Sequence, residues 1–223
     1  MKISPLKWVV FLILFVTSYV IKADTVYDFI DWNTLTITKK IDKFLLRGEA
    51  QVRLKDDAGK LGLFYVRPSI GYQINDNWQT QLGFTYQASY TPGNIVIEYN
   101  VFQDVRYSNK FKDVQYVFRT RLEERTYAYN NLNATFRLRN AVRLEYPITD
   151  KIYVAGYDEV FVNLNGNQVY ESGFDQNWFW VGPGYKFTPN LRIEVGYFSQ
   201  YANCPGKPNQ FNQGISTQVS IDF

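Results

Sequence analysis

Histidine is absent from all 223 residues, and cysteine occurs once, at Cys204. The first absence removes the imidazole by which lipases and deacylases activate a hydroxyl, and with it the commonest neutral metal ligand. The second excludes an intramolecular disulfide. Cys204 sits in the turn-rich stretch Asn203-Cys204-Pro205-Gly206-Lys207-Pro208, which reads as a loop thiol without a catalytic task; a reactive or lipid-modified thiol is the alternative. Gly-rich phosphate loops, Walker patterns, heptad runs, EF-hand spacings and zinc-ligand patterns are all missing, so neither a cofactor nor a metal is expected. No Pro-rich, Ser-rich or charge-run linker divides the chain, which fits one domain.

The first 23 residues have the build of a secretory signal. Lys2 and Lys7 supply a short basic region, Trp8 to Val16 an apolar run, and Ala23 a small residue before Asp24. The alternative, an uncleaved membrane anchor, would need roughly 20 apolar residues. Removing Lys2, Lys7 and Lys22 from 24 basic residues leaves a chain balanced against its 21 acids. With no basic tail and no recognition helix, nucleic acid is not an expected partner. The remaining domain is 24–223.

What fills that domain is alternation of apolar and polar residues. Trp78, Thr80, Leu82, Phe84, Tyr86 and Ala88 face one way, and Gln79, Gln81, Gly83, Thr85 and Gln87 the other. The same period returns around Phe118 and Arg119, Leu138 and Arg139, and Ile193 and Glu194. It returns again in the last stretch, Ile215, Thr217, Val219, Ile221 and Phe223. One face for lipid and one for a polar interior is the pattern of an antiparallel transmembrane β-barrel, an all-β fold. Strands are expected at 28–38, 44–54, 61–74, 77–89, 95–108, 113–126, 132–145, 151–163, 174–187, 190–202 and 213–223. These are longer than the roughly 5 or 6 residues usual in soluble sandwiches, and long enough for a tilted bilayer path of about 9 to 11.

Counting back from a periplasmic C-terminus, short turns fall on the periplasmic side. The segments Asn203–Asn212, Asn163–Gly173, Tyr127–Asn131 and Tyr90–Asn94 fall outside. Eleven segments would leave the N-terminus outside, whereas bacterial barrels usually have an even count. The expectation is therefore about twelve strands, with Asp24–Ile30 contributing a further crossing, or else ten. Trp78, Tyr90, Tyr107, Tyr127, Tyr146, Tyr153 and Tyr201 lie near strand ends, where amphipathic rings settle at headgroup level.

Several segments carry a family resemblance: Asp28-Phe29-Ile30-Asp31-Trp32, Arg67-Pro68-Ser69-Ile70-Gly71-Tyr72, Arg119-Thr120-Arg121-Leu122-Glu123-Glu124-Arg125, Arg137-Leu138-Arg139, and Glu159-Val160-Phe161 with Asn163. Together they resemble the domain-of-unknown-function 2490 family of bacterial outer-membrane proteins, common in Bacteroidetes. The resemblance implies a barrel in the bacterial outer membrane and no particular reaction. At Asn177-Trp178 the chain departs from the family's usual arginine, so one lumen charge is missing there.

The polar face carries Arg47, Glu49, Arg53, Arg67, Glu98, Asp104, Arg106, Arg119, Arg121, Glu123, Arg137, Arg139, Arg143, Glu145, Glu159, Arg192 and Glu194. Buried charges need partners or water. The interleaved ladder is thus expected to fill the lumen and pin the strands, with a narrow anion-leaning path for small solutes as the alternative. An enzyme is not expected, because arginines beside the carboxylate pair Glu123 and Glu145 disfavour a general acid. Glu159, next to Asp158, is the better acid candidate, and a lumen salt bridge is its plainer reading. A third possibility is a binding protein acting through the outer loops Tyr127–Asn131 and Asn163–Gln168. Expected partners are outer-membrane lipid and lipopolysaccharide, and the barrel-assembly machinery during insertion, which would read Val219, Ile221 and Phe223 as an assembly signal. A monomer is expected.

Overall fold

The computed structural model describes residues 25–128, 133–167 and 169–223. The expected signal segment 1–23 and part of the Tyr127–Asn131 loop lie outside the described residues. The strands are β1 (Thr25–Ile41), β2 (Phe44–Lys55), β3 (Lys60–Gln73), β4 (Trp78–Thr91), β5 (Asn94–Phe111), β6 (Val114–Tyr127), β7 (Thr135–Pro147), β8 (Ile152–Asn163), β9 (Gly173–Lys186), β10 (Leu191–Ala202) and β11 (Asn209–Asp222). Each pairs antiparallel with the next in sequence, and β1 closes the barrel against β11.

Among the described residues the barrel therefore has eleven strands, between the twelve and ten weighed from sequence. Asp24–Ile30 does not form a further crossing: its described part, from Thr25, is the first half of a single 17-residue β1. An odd count closes only if first and last strands run the same way. They do, in parallel register from Thr25 opposite Asn209 to Thr38 opposite Asp222. The seam is completed at the other end, where Lys40 N–H donates to the Phe223 carbonyl at 3.0 Å and Phe223 N–H to the Thr38 carbonyl at 2.8 Å.

Because side chains alternate along every strand, register decides which residues meet lipid. Leu82, Val101, Leu122, Val142, Val195 and Ile215 are exposed on the outer wall, whereas Asp104, Glu123, Trp180 and Phe198 are fully buried inside. Outward rings gather at both rims: Trp78 on Tyr107 at 4.9 Å and Phe44 on Tyr72 at 5.3 Å at one end, Tyr27 on Phe211 at 5.9 Å at the other. Two of the tyrosines expected there point inward instead. Tyr153 is 1% exposed and donates to Glu194, and Tyr127 donates to Glu98. Their positions in the alternation place both on the polar face, and a buried phenol needs an acceptor.

Tight turns join strands at the end that carries Phe223. At the β2–β3 turn of the opposite end, Asp56, Asp57 and Ala58 all have positive φ, at 54°, 57° and 56°. Left-handed backbone is costly for residues with a Cβ. Asp28 offsets that cost, because its carboxylate accepts the N–H groups of Asp56 at 2.9 Å and Asp57 at 3.0 Å. Inside the barrel, Gly83 leaves room for the Phe102 ring, which a Cβ at that position would strike.

Candidate functional site in the barrel lumen

The lumen is built from the inward members of the alternation, and its long-loop half is filled by ion pairs. Arg121 grips Asp104 through two bonds of 2.6 and 2.9 Å, and Arg125 grips Glu98 through two of 2.7 Å. Tyr170, from the β8–β9 loop, accepts from Arg125 at 2.7 Å and lies beneath its guanidinium. Glu123 is the hub. It accepts from Arg137 at 2.6 Å and from Arg139 at 2.8 Å, and Arg121 stands 3.7 Å away. Arg137 reaches on to Asp175, and Arg139 to Glu159, which Arg119 also holds. Glu49 takes Arg67, Arg47 and the Tyr65 hydroxyl.

Aromatic rings complete the filling. Trp32, Tyr153, Phe161, Trp178, Trp180 and Phe198 form one buried cluster with Ile30 and Ala155. The Arg53 guanidinium lies 3.7 Å from the Trp32 ring centre and 4.8 Å from that of Trp178. Arg53 is on β2 and Trp178 on β9, with β1, β11 and β10 between them, so this contact crosses the interior. Likewise Arg143 of β7 bonds Glu194 of β10 at 2.5 Å.

The tight-turn half is different. It holds a cavity of about 250 Å³ lined by Arg47, Arg67, Arg106, Arg119, Arg139, Arg143 and Arg192 but only three carboxylates, Glu49, Glu159 and Glu194. Thr34, Thr36, Ser216, Gln218 and Ser220 of the β1–β11 seam add neutral polar groups. The Nε atoms of Arg106, Arg119 and Arg192 are buried with no hydrogen-bond partner among the described residues.

A family described as "Protein of unknown function (DUF2490)" matches residues 30–212. The chain belongs to that family. An uncharacterized protein of Methylorubrum extorquens is 26% identical over 207 residues, covering 90% of each chain. A 47 kDa outer membrane protein of Pasteurella multocida is 35% identical over 78 residues, which are 34% of this chain and 17% of that protein. Among solved structures, a NanC porin aligns with a TM-score of 0.55 and 14% identity, covering 88% of this chain and 99% of the porin. That likeness shows the fold: this DUF2490 member is an outer-membrane-type β-barrel.

All the ladder residues named from sequence lie on the inner face of the DUF2490 barrel, but they do not act alike. Asp104, Arg121, Glu123, Arg137, Arg139 and Glu159 meet in the central network, whereas Arg47, Arg106, Arg143 and Arg192 border the cavity. Glu123 and Glu145 are not a pair. Glu123 stands opposite Arg137 and Glu145 opposite Gln115 on the same β6–β7 ladder, and Glu145 bonds Arg143. Glu159 is held by two arginines, while Asp158 points to the other face, where the Asn177 amide donates to both of its oxygens at 3.1 Å. Arg125 and Asp175 belong to the network and were absent from the sequence-derived ladder. Arg125 simply continues the alternation Arg119, Arg121, Glu123; Asp175 stands at a bulged pairing that shifts the simple period. At Trp178 an indole occupies the lumen, and the Arg53 and Arg139 guanidiniums lie against it.

Proposed function

We propose that this protein is a bacterial outer-membrane barrel whose lumen is sealed by its own charged and aromatic side chains, so that it serves as a structural barrel and not as a through-going pore. The supporting observation is the network spanning the interior, with Asp104 and Glu123 at 0% and Arg121 at 2% exposure. In this reading the tight turns face the periplasm and the β8–β9 and β10–β11 loops face outward. The outer wall meets lipid and lipopolysaccharide as a monomer, and the β11 end, with Val219, Ile221 and Phe223, is what the assembly machinery engages. No catalysis is assigned, since the carboxylates at the centre of the lumen are held by arginine.

Planar-bilayer recording tests the sealed reading. The wild type should be silent, and Arg53→Ala with Trp178→Ala, which removes the contact across the interior, should introduce conductance. A steady wild-type conductance would overturn it. The second reading, a narrow anion-leaning path, is favoured by the arginine surplus around the cavity; it requires a conducting wild type whose anion preference falls on Arg139→Glu.

A further inference from the structure

We propose that the cavity in the tight-turn half of the lumen is a binding site for a small oxyanion, a compact solute bearing a phosphate or carboxylate group. Seven arginines face it against three carboxylates, and each of those carboxylates is already shared. Glu159 lies between Arg119 and Arg139, Glu49 between Arg47 and Arg67, and Glu194 between Arg143 and the Tyr153 hydroxyl. Nothing acidic in the lining remains for Arg106 or Arg192. Arg106 has one 3.5 Å contact with Asp104, whose oxygens are committed to Arg121.

The donors left over are buried. The Nε groups of Arg106 on β5, Arg119 on β6 and Arg192 on β10 have no acceptor among the described residues, and a buried donor without an acceptor is costly. Those Nε atoms expose no surface to the cavity, so an oxyanion there meets the rest of the Arg106 and Arg192 guanidiniums that line it, through the charge-assisted bonds by which a guanidinium binds carboxylate or phosphate. Chloride cannot do so in the same bidentate way. A cavity of about 250 Å³ is smaller than the pockets that take drug-sized ligands, about 300 to 1,000 Å³, and admits a compact anion with some of its water. The arginine surplus along the cavity wall also concentrates anions there.

The inference does not need the lumen to be sealed, because the same cavity would be a station along an open path. Its test is calorimetric titration of the full folded barrel in nonionic detergent, at matched ionic strength, with inorganic phosphate, acetate and chloride as separate probes. Saturable binding of phosphate or acetate is expected, at least about tenfold tighter than chloride, the difference made by one to two charge-assisted hydrogen bonds. Arg106→Gln and Arg192→Gln should each weaken it several-fold, and Lys60→Gln in the exposed β2–β3 turn should leave it unchanged. Heat-modifiable migration on gels checks that both variants remain folded; Arg192→Lys, which keeps the charge and loses the fork, covers the case in which Arg192→Gln does not fold. No saturable heat, chloride binding as tightly as the oxyanions, or affinity unaltered in the arginine variants would overturn the proposal. A conducting wild type would overturn only the sealed reading, so the two failures are distinct.

Discussion

Replacing Glu123 by glutamine should destabilise the barrel by about 3 kcal/mol. Removing one partner from a buried ion pair costs about 3 to 5 kcal/mol, because the remaining charge is left in a low-dielectric interior. Glu123 serves Arg137 and Arg139 at 2.6 and 2.8 Å, with side-chain exposures of 9% and 4%, so the upper end of that range would apply if both lost their only acceptor. They do not: Arg137 keeps Asp175 at 3.0 Å and Arg139 keeps Glu159 at 2.7 Å, which favours the lower end. The control is Asp56→Asn, which breaks the Lys60–Asp56 pair at 73% and 52% exposure and should cost about 0 to 1 kcal/mol. Reversible urea unfolding into and out of lipid vesicles, followed by tryptophan fluorescence, measures both. A loss below about 1 kcal/mol for Glu123→Gln would mean that water hydrates the network and would refute the argument from burial.

Val219→Lys should reduce folded barrel sharply, since a lipid-facing lysine costs up to about 2 to 4 kcal/mol depending on its depth, whereas Gln218→Lys, which enters the cavity lining, should be milder; equal losses would place the register one residue off. Cys204, half-buried in the β10–β11 loop, has its thiol pushed above the usual thiol value by burial and then by the negative charge of Asp175. Its alkylation by a neutral maleimide should therefore be slow at neutral pH and rise only as pH passes above the ordinary thiol range; a midpoint below that range would contradict the stated causes.

The strands were legible because their signal is local. A period of two needs only neighbouring residues, and the expected segment 44–54 became Phe44–Lys55 while 190–202 became Leu191–Ala202. Lumen charges were legible for the same reason, since Arg119, Arg121 and Glu123 share one parity. Closure was not local. Whether Thr25–Ile30 starts a new crossing or extends β1 depends on what β11 offers as a partner across nearly the whole chain. Tyr153 was placed among the headgroup rings for a chemical reason: rings in a membrane barrel suggest lipid or headgroups, yet Tyr153, like Trp178, Trp180 and Phe198, shares the parity of the polar face. Arg53 and Arg139 against Trp178 show how that is stable, because a guanidinium plane stacks on a ring while its edge donates to Gln51 or Glu159.

The two halves of the lumen differ because their charge balance differs. In the long-loop half, Glu98, Asp104, Glu123 and Asp175 face Arg121, Arg125 and Arg137, with Arg139 and Glu159 shared between this half and the cavity, so nearly every guanidinium finds a carboxylate and the side chains close on one another. A neutralised, hydrogen-bonded set is one that a low-dielectric interior tolerates. In the tight-turn half the acids run out before the arginines do. Guanidiniums short of carboxylates, Arg106 and Arg192, repel and must keep contact with water or an anion, so the space they border with Arg119 and Arg143 stays open. The ion-paired half and the cavity are then two outcomes of one rule, set strand by strand by whether an inward position holds a carboxylate or an arginine.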